Sequence, residues 1–198
     1  MKKAFLFPGQ GSQFIGMGQE LASQHEVAKD VFSEVDEALG ERLSALMFRG
    51  DIEELTLTKN AQPAIMAVSI AILRVMSSKG LNLKTIDLLA GHSLGEYSAL
   101  CASGVVSLRD TAIILRKRGI AMQKAVSEGK GLMVAVLGLT SEIVNELMIK
   151  SKSDNQLIQV ANDNDPSQVV ISGEKKEVEK FSDFLKEKNA RRSEGSDS

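Results

Sequence analysis

Gly91-His92-Ser93-Leu94-Gly95 is the segment of this chain most able to do chemistry. It fits Gly-x-Ser-x-Gly, in which a sharp strand-to-helix turn lifts one serine hydroxyl clear of a sheet. Ile86-Asp87-Leu88-Leu89-Ala90 reads as the strand leading in, and Glu96-Tyr97-Ser98-Ala99-Leu100 as the helix leading out. The glycines keep the crowded turn free of side chains. The helix start beneath it offers unpaired N–H groups and a partial positive charge. That is the equipment for attack on an acyl group: Ser93 as nucleophile, with the N–H of the next residue, Leu94, aimed at the developing oxyanion. A glycine-rich strand–helix turn without catalysis is the alternative.

An acyl-transfer site needs a second oxyanion donor from a loop after a different strand. Pro8-Gly9-Gln10-Gly11, behind a short strand at residues 3–7, is the best candidate. Gly9-x-Gly11 does not make a dinucleotide loop, because Phe14 stands where a third glycine is needed. No Gly-Lys-Ser/Thr follows, so it is not a phosphate-binding P-loop either.

A serine is a poor nucleophile without a base. The chain has two histidines. His25 follows a helix and is expected to be exposed. His92 adjoins Ser93, but neighbouring side chains at such a turn point apart. Arg109, Arg116, Lys117 and Arg118 share one helical segment and read equally well as a solvated face.

The elements that must position these groups follow from the pattern. A helix is expected from the first loop to about Ser23, and another over residues 30–39. Pro63 suits a first helical position, and residues 63–77 are apolar on nearly every face, as in a buried helix. Ser107-Leu108-Arg109-Asp110 resembles a capping box opening a helix to about Val126. Beyond Gly129-Lys130-Gly131 the pattern changes. A strand at 132–139, a helix at 141–150, a strand at 157–161, a turn at 162–167, a strand at 168–172 and a helix at 175–188 give β-α-β-β-α. One more strand would complete a ferredoxin-like unit. Ala190-Arg191-Arg192 begins something extended, and Ser193-Glu194-Gly195-Ser196-Asp197-Ser198 reads as a polar tail.

Bulk composition narrows the function classes. The 198 residues are 43% hydrophobic and 25% charged, ordinary for a globular protein. A net charge of −2 gives no argument for a nucleic-acid or membrane partner. One cysteine, Cys101, excludes an intrachain disulfide and a thiolate metal site, and its apolar helix suggests a core position. No metal site is expected. Only four apolar residues follow Met1-Lys2-Lys3 before Pro8, too few for a signal-peptide core, and residues 64–76 are too short to span a bilayer. The expected setting is cytoplasmic and reduced.

The motifs together, in order and spacing, resemble the bacterial malonyl-CoA:acyl-carrier-protein transacylases. They are Pro8-Gly9-Gln10-Gly11-Ser12-Gln13, Gln62-Pro63-Ala64, Gly91-His92-Ser93-Leu94-Gly95-Glu96-Tyr97, Arg118-Gly119, Asn162, Asn164 and Gln168-Val169-Val170-Ile171-Ser172-Gly173. The resemblance runs from Lys3 to about Arg192. It implies an α/β fold: an α/β-hydrolase-like large subdomain, incomplete here, with an inserted ferredoxin-like small subdomain lacking its last strand. The domains would be 1–127, 128–192 and the tail 193–198.

The resemblance also implies the activity, transfer of a malonyl group from malonyl-CoA to the phosphopantetheine thiol of acyl carrier protein in fatty acid biosynthesis. Ser93 would be the nucleophile, the backbone N–H groups of Gln10 and Leu94 the oxyanion hole, and Arg118 the clamp for the malonyl carboxylate. Gln62 would lie near the substrate. Malonyl-CoA and acyl carrier protein are the implied partners, with no cofactor, since acyl-CoA is a substrate. The family's catalytic histidine would lie beyond the small subdomain. The chain therefore reads as C-terminally truncated, with impaired activity and a tendency to fold marginally or self-associate. A non-catalytic remnant binding acyl-CoA or carrier protein is the second reading, and a serine thioesterase the third.

Overall fold

Alternation of Phe5 and Phe7 with Leu6 makes a short strand of residues 4–7, and the run before Gly91 makes another. The computed structural model describes residues 2–125, 129–151, 157–187 and 191–192. The chain divides into two compact units, 1–123 and 124–198.

In the first unit, β1 (Ala4–Phe7) is followed by α1 (Gln19–Gln24), α2 (Glu26–Leu39), α3 (Leu43–Arg49), α4 (Ile52–Thr56) and α5 (Thr58–Ser78). A single 3₁₀ turn, Leu83–Thr85, leads to β2 (Leu88–Gly91), α6 (Leu94–Ala102) and α7 (Leu108–Ala125). β1 and β2 pair in parallel, with Ala4 opposite Leu88 and Phe7 opposite Gly91. Their C-terminal ends therefore finish side by side, which is where an α/β sheet places its ligand-binding loops.

α5 is the centre of this unit. Ala61, Ala64, Ile65, Met66, Ala67 and Ala71 are almost wholly buried, and α2 adds Ala28, Val31, Phe32 and Val35 to the same core. Phe32 meets Phe48 edge-to-face at 5.3 Å. α5 is 21 residues long and apolar enough to cross a membrane, yet most of it is buried within the protein. Core packing accounts for its composition.

The helix starts earlier than Pro63 suggests. Thr58 is its first residue, so Pro63 sits inside it. The helix expected through Ser23 is shorter, because the left-handed backbone of Gly16 and Gly18 holds residues 15–18 in turns. α7 begins as the capping box predicts: Ser107 Oγ accepts the Asp110 N–H at 3.0 Å and donates to the Asp110 carboxylate at 2.6 Å.

The second unit holds β3 (Gly131–Leu137), α8 (Ser141–Lys150), β4 (Ile158–Asp165), β5 (Gln168–Glu174), α9 (Lys175–Glu187) and β6 (Arg191–Arg192). The sheet order is β4-β5-β3-β6, all antiparallel, the ferredoxin-like arrangement. Val134, Val136, Ile158, Val169 and Ile171 bury one face of it against Val144 and Met148 of α8 and Val178, Phe181 and Leu185 of α9.

Two expectations for this unit change. The place of the last strand is not empty: Arg191 and Arg192 pair with Leu137 and Val136 on the edge of β3. Residues 162–165 are strand rather than turn, because register shifts after Val160 and Asp163 let Asn162 and Asp163 stay in the ladder with β5. The turn itself is tight, closed by Asp165 Oδ1 accepting both the Ser167 N–H and hydroxyl at 2.7 Å. Those two bonds hold the Asp165 carboxyl below the usual carboxylate range. The expected polar tail, 193–198, lies outside the described residues.

Candidate active site

β2 stops at Gly91 and α6 starts at Leu94, so the chain reverses direction across two residues. Ser93 takes φ 55° and ψ −111°, the one non-glycine positive φ among the described residues. Such a backbone costs about 1–3 kcal/mol and persists only where its surroundings fix it. Here the two flanking glycines fix it. A Cβ on Gly91 would lie 1.9 Å from the Gly95 carbonyl carbon, and one on Gly95 would lie 2.3 Å from the Phe7 oxygen. The turn is folded over its own helix and against the end of β1. The Ser93 side chain remains exposed.

At the head of α6, the Gly95 and Glu96 N–H groups donate to the His92 and Ser93 carbonyls at 2.9 and 3.2 Å. No acceptor among the described residues takes the Leu94 N–H. The loop after β1 runs alongside. His92 donates its N–H to the Phe7 oxygen at 3.2 Å, and the His92 ring packs on Gly9, where a Cβ would meet Nδ1 at 2.8 Å. The Gln10 side chain is turned to the α4–α5 junction, with Nε2 3.4 Å from Thr56 O and from Thr58 Oγ1. The sequence-predicted loop and elbow are thus brought together.

α7 supplies the cation. Arg118 Nη2 donates to Ser93 Oγ at 3.1 Å, and Nη1 donates to Gln62 Oε1 at 2.6 Å. Gln62, on α5, is 1% exposed, and its Nε2 is 3.3 Å from Met122 Sδ. The Arg118 guanidinium also lies over the Tyr97 ring, 5.7 Å from its centroid. Gly119 makes the meeting of α5 and α7 possible: a Cβ there would lie 2.5 Å from Lys59 Cα and 2.7 Å from Thr58 O.

The basic run is therefore not one solvated face. Arg109 pairs with Glu37, and Arg116 turns inward to Asn60 and Glu41. Arg118 makes no ion pair with Asp or Glu among the described residues. Its charge faces the Ser93 hydroxyl without an acidic partner, an arrangement that suits an anionic group held beside that hydroxyl.

Tyr97 and Met122 were not singled out by sequence reasoning. Met122 follows Arg118 by four positions and shares its face of α7, and Tyr97 lies in the first turn of α6, just after Ser93.

Among the described residues, the group bonded to Ser93 Oγ is Arg118, not an imidazole or a carboxylate. His25 sits at the α1–α2 junction and is half-buried rather than exposed. Cys101 is half-buried beside the core of the first unit, and desolvation by burial pushes its thiol up. A groove of about 920 Å³ lies elsewhere, lined by Phe5, Leu6, Phe14, Leu21, Val68 and Ile72. It includes neither Ser93 nor Arg118.

Residues 4–196 match the acyl transferase domain family. The malonyl CoA-acyl carrier protein transacylase of Bacillus subtilis is 52% identical over 191 residues, covering 96% of this chain and 59% of the relative. The Escherichia coli K12 protein of the same description is 40% identical, covering 96% and 60%. The crystal structure of an acyl-carrier-protein S-malonyltransferase from Bartonella henselae superposes with a TM-score of 0.91 at 54% identity, covering 97% of this chain and 62% of that one. A type II PKS acyl-carrier protein in complex with its malonyl-transacylase also matches, with a TM-score of 0.90 at 40% identity, covering 99% and 62%. The chain thus spans about three fifths of the length of these relatives.

Proposed function

Because the chain belongs to the acyl transferase family, we propose that it accepts a malonyl group from malonyl-CoA on Ser93 and passes it to the thiol of an acyl carrier protein. In the first half-reaction Ser93 Oγ attacks the thioester carbonyl. The oxyanion forms against the Leu94 and Gln10 N–H groups, and as the carbonyl reforms the C–S bond breaks and coenzyme A leaves as the thiol, with the proton that Ser93 gave up. In the second, the carrier thiol attacks the Ser93 ester, and the serine oxygen leaves and takes up the proton that the thiol lost. An oxyanion donor of this kind is worth about 10²–10³ in rate.

The observation that carries the reading is the 3.1 Å contact between Arg118 Nη2 and Ser93 Oγ. A malonyl ester on Ser93 ends in a carboxylate two carbons from its carbonyl, within reach of a guanidinium so placed. A guanidinium has five donors, and Gln62 and Ser93 engage two. The remaining three can serve a carboxylate. A plain thioesterase has no use for this charge.

A second reading keeps the same ligands without turnover. It is favoured by the absence, among the described residues, of an imidazole or carboxylate bonded to Ser93 Oγ. General acid–base help is worth about 10²–10⁴, so acylation of these 198 residues is expected to be slow.

Intact-mass analysis after incubation with malonyl-CoA separates the two. A malonyl adduct on the chain that Ser93→Ala lacks supports transfer through Ser93. Saturable malonyl-CoA binding with no adduct supports the binding reading, and neither result overturns both.

A further inference from the structure

Arg118 is held by more than its hydrogen bonds. Gln62 Oε1 accepts from one terminal nitrogen of the guanidinium at 2.6 Å, and Ser93 Oγ takes a second N–H at 3.1 Å. Neither bond stops the group from tilting about the line joining them. The Tyr97 ring lies beneath, 5.7 Å from Arg118 Cζ to its centroid, inside the range where a cation is attracted to an aromatic face.

The ring is itself well placed to do this. Tyr97 lies in the first turn of α6, four positions after Ser93 at its N-cap, so the ring and the serine are joined by a short, ordered stretch of backbone. It is half-buried and packed against the core formed by α2 and α5, which leaves it little freedom to turn. The charge it faces has no acidic partner among the described residues.

We propose that Tyr97 is a positioning residue that acts through Arg118: its ring face sets the tilt of the guanidinium and so tunes preference for acyl groups ending in a carboxylate. This rests on the reading of Arg118 as a carboxylate clamp. Tyr97 touches no reacting atom in this arrangement. Its effect is confined to substrates that engage Arg118, and acyl groups without a terminal charge are indifferent to it.

The test compares binding of malonyl-CoA and acetyl-CoA by calorimetry for the wild-type chain, Tyr97→Leu, Tyr97→Phe and Arg118→Ala. Loss of a cation–aromatic contact predicts that Tyr97→Leu weakens malonyl-CoA by about two- to fivefold with acetyl-CoA unchanged. Tyr97→Phe keeps the ring face and stays within about twofold of wild type. The Arg118 Nε–H signal in a ¹H–¹⁵N spectrum is expected to persist in Tyr97→Phe and to shift or broaden in Tyr97→Leu. If Tyr97→Leu weakens both ligands equally, or neither, the positioning role is overturned. If the wild-type chain shows no preference for malonyl-CoA, or Arg118→Ala leaves that preference intact, the clamp reading fails and the proposal falls with it. A preference lost in Arg118→Ala but kept in Tyr97→Leu overturns the Tyr97 role alone.

Discussion

Arg118 Nη2 stands 3.1 Å from Ser93 Oγ, although the two lie 25 positions apart in the chain with the whole of α6 between them. The same guanidinium reaches Gln62 through its other terminal nitrogen. One planar fork thus spans the elbow on α6 and the buried amide on α5. A lysine cannot do this, since its ammonium is a point charge without a fork. Arg118→Lys keeps the charge and loses one of the two contacts. Hydrogen bonds to charged groups are worth about 1.5–3 kcal/mol, so malonyl-CoA affinity should fall roughly tenfold or more while acetyl-CoA affinity holds. Calorimetry on the two ligands checks this, and equal losses for both would speak against a carboxylate clamp.

Gly119 sets the distance between α7 and α5. With Lys59 Cα only 2.5 Å from the place a Cβ would take, an alanine must push backbone against backbone. Overpacking of this kind costs about 1–3 kcal/mol. Gly119→Ala should lower the urea midpoint accordingly, and it should also reduce malonyl preference, because the shift carries Arg118 away from Gln62. An unchanged midpoint would mean that the helices separate freely and that the contact is not limiting.

Legibility from sequence tracked how local each requirement is. The elbow was readable because both flanking glycines answer to contacts within the turn or at the end of the paired strand. The meeting of Gln62 with Arg118 was not, since the two residues lie 56 positions apart on different helices and no periodicity encodes it; the resemblance placed each near the site without pairing them. α3 and α4 went unseen because seven and five residues show too few turns for a pattern. Asp51 with Glu54 three positions on was a usable signal, and Asp51 does cap α4 by accepting the Glu53 and Glu54 N–H groups. Asn162, Asp163 and Asn164 have turn chemistry, yet pairing with β5 overrides it.

Cys101 offers a test of burial by pH. Desolvation pushes its thiol up, while Thr111 and Arg74 act weakly in the opposite direction. The folded chain therefore favours the neutral thiol more than the unfolded chain does. The resulting stability is fully present below the unfolded thiol pKa and is lost as pH rises through the higher folded value. Two outcomes are expected. Unfolding midpoints should decline on going to alkaline pH by more in the wild type than in Cys101→Ala. Alkylation by iodoacetamide near neutral pH should be slower than for a free thiol. Fast modification of the native chain would show that the side chain is more open than its packing implies.

Ser93 holds a positive φ that glycine adopts freely and alanine does not. If Ser93 is the proposed nucleophile, the strain holds its hydroxyl clear of the sheet, and function and stability oppose each other at this position. Ser93→Ala removes the hydroxyl and keeps the strain, and it should unfold close to the wild type. Ser93→Gly removes both, and should gain about 0.5–2 kcal/mol after the entropy of a more flexible unfolded chain is subtracted. Neither variant can form a malonyl adduct. The comparison that decides is between the two variants in urea. If Ser93→Gly is no more stable than Ser93→Ala, the turn is relaxed as it stands, and the elbow owes its shape to Gly91 and Gly95 without storing energy at the serine.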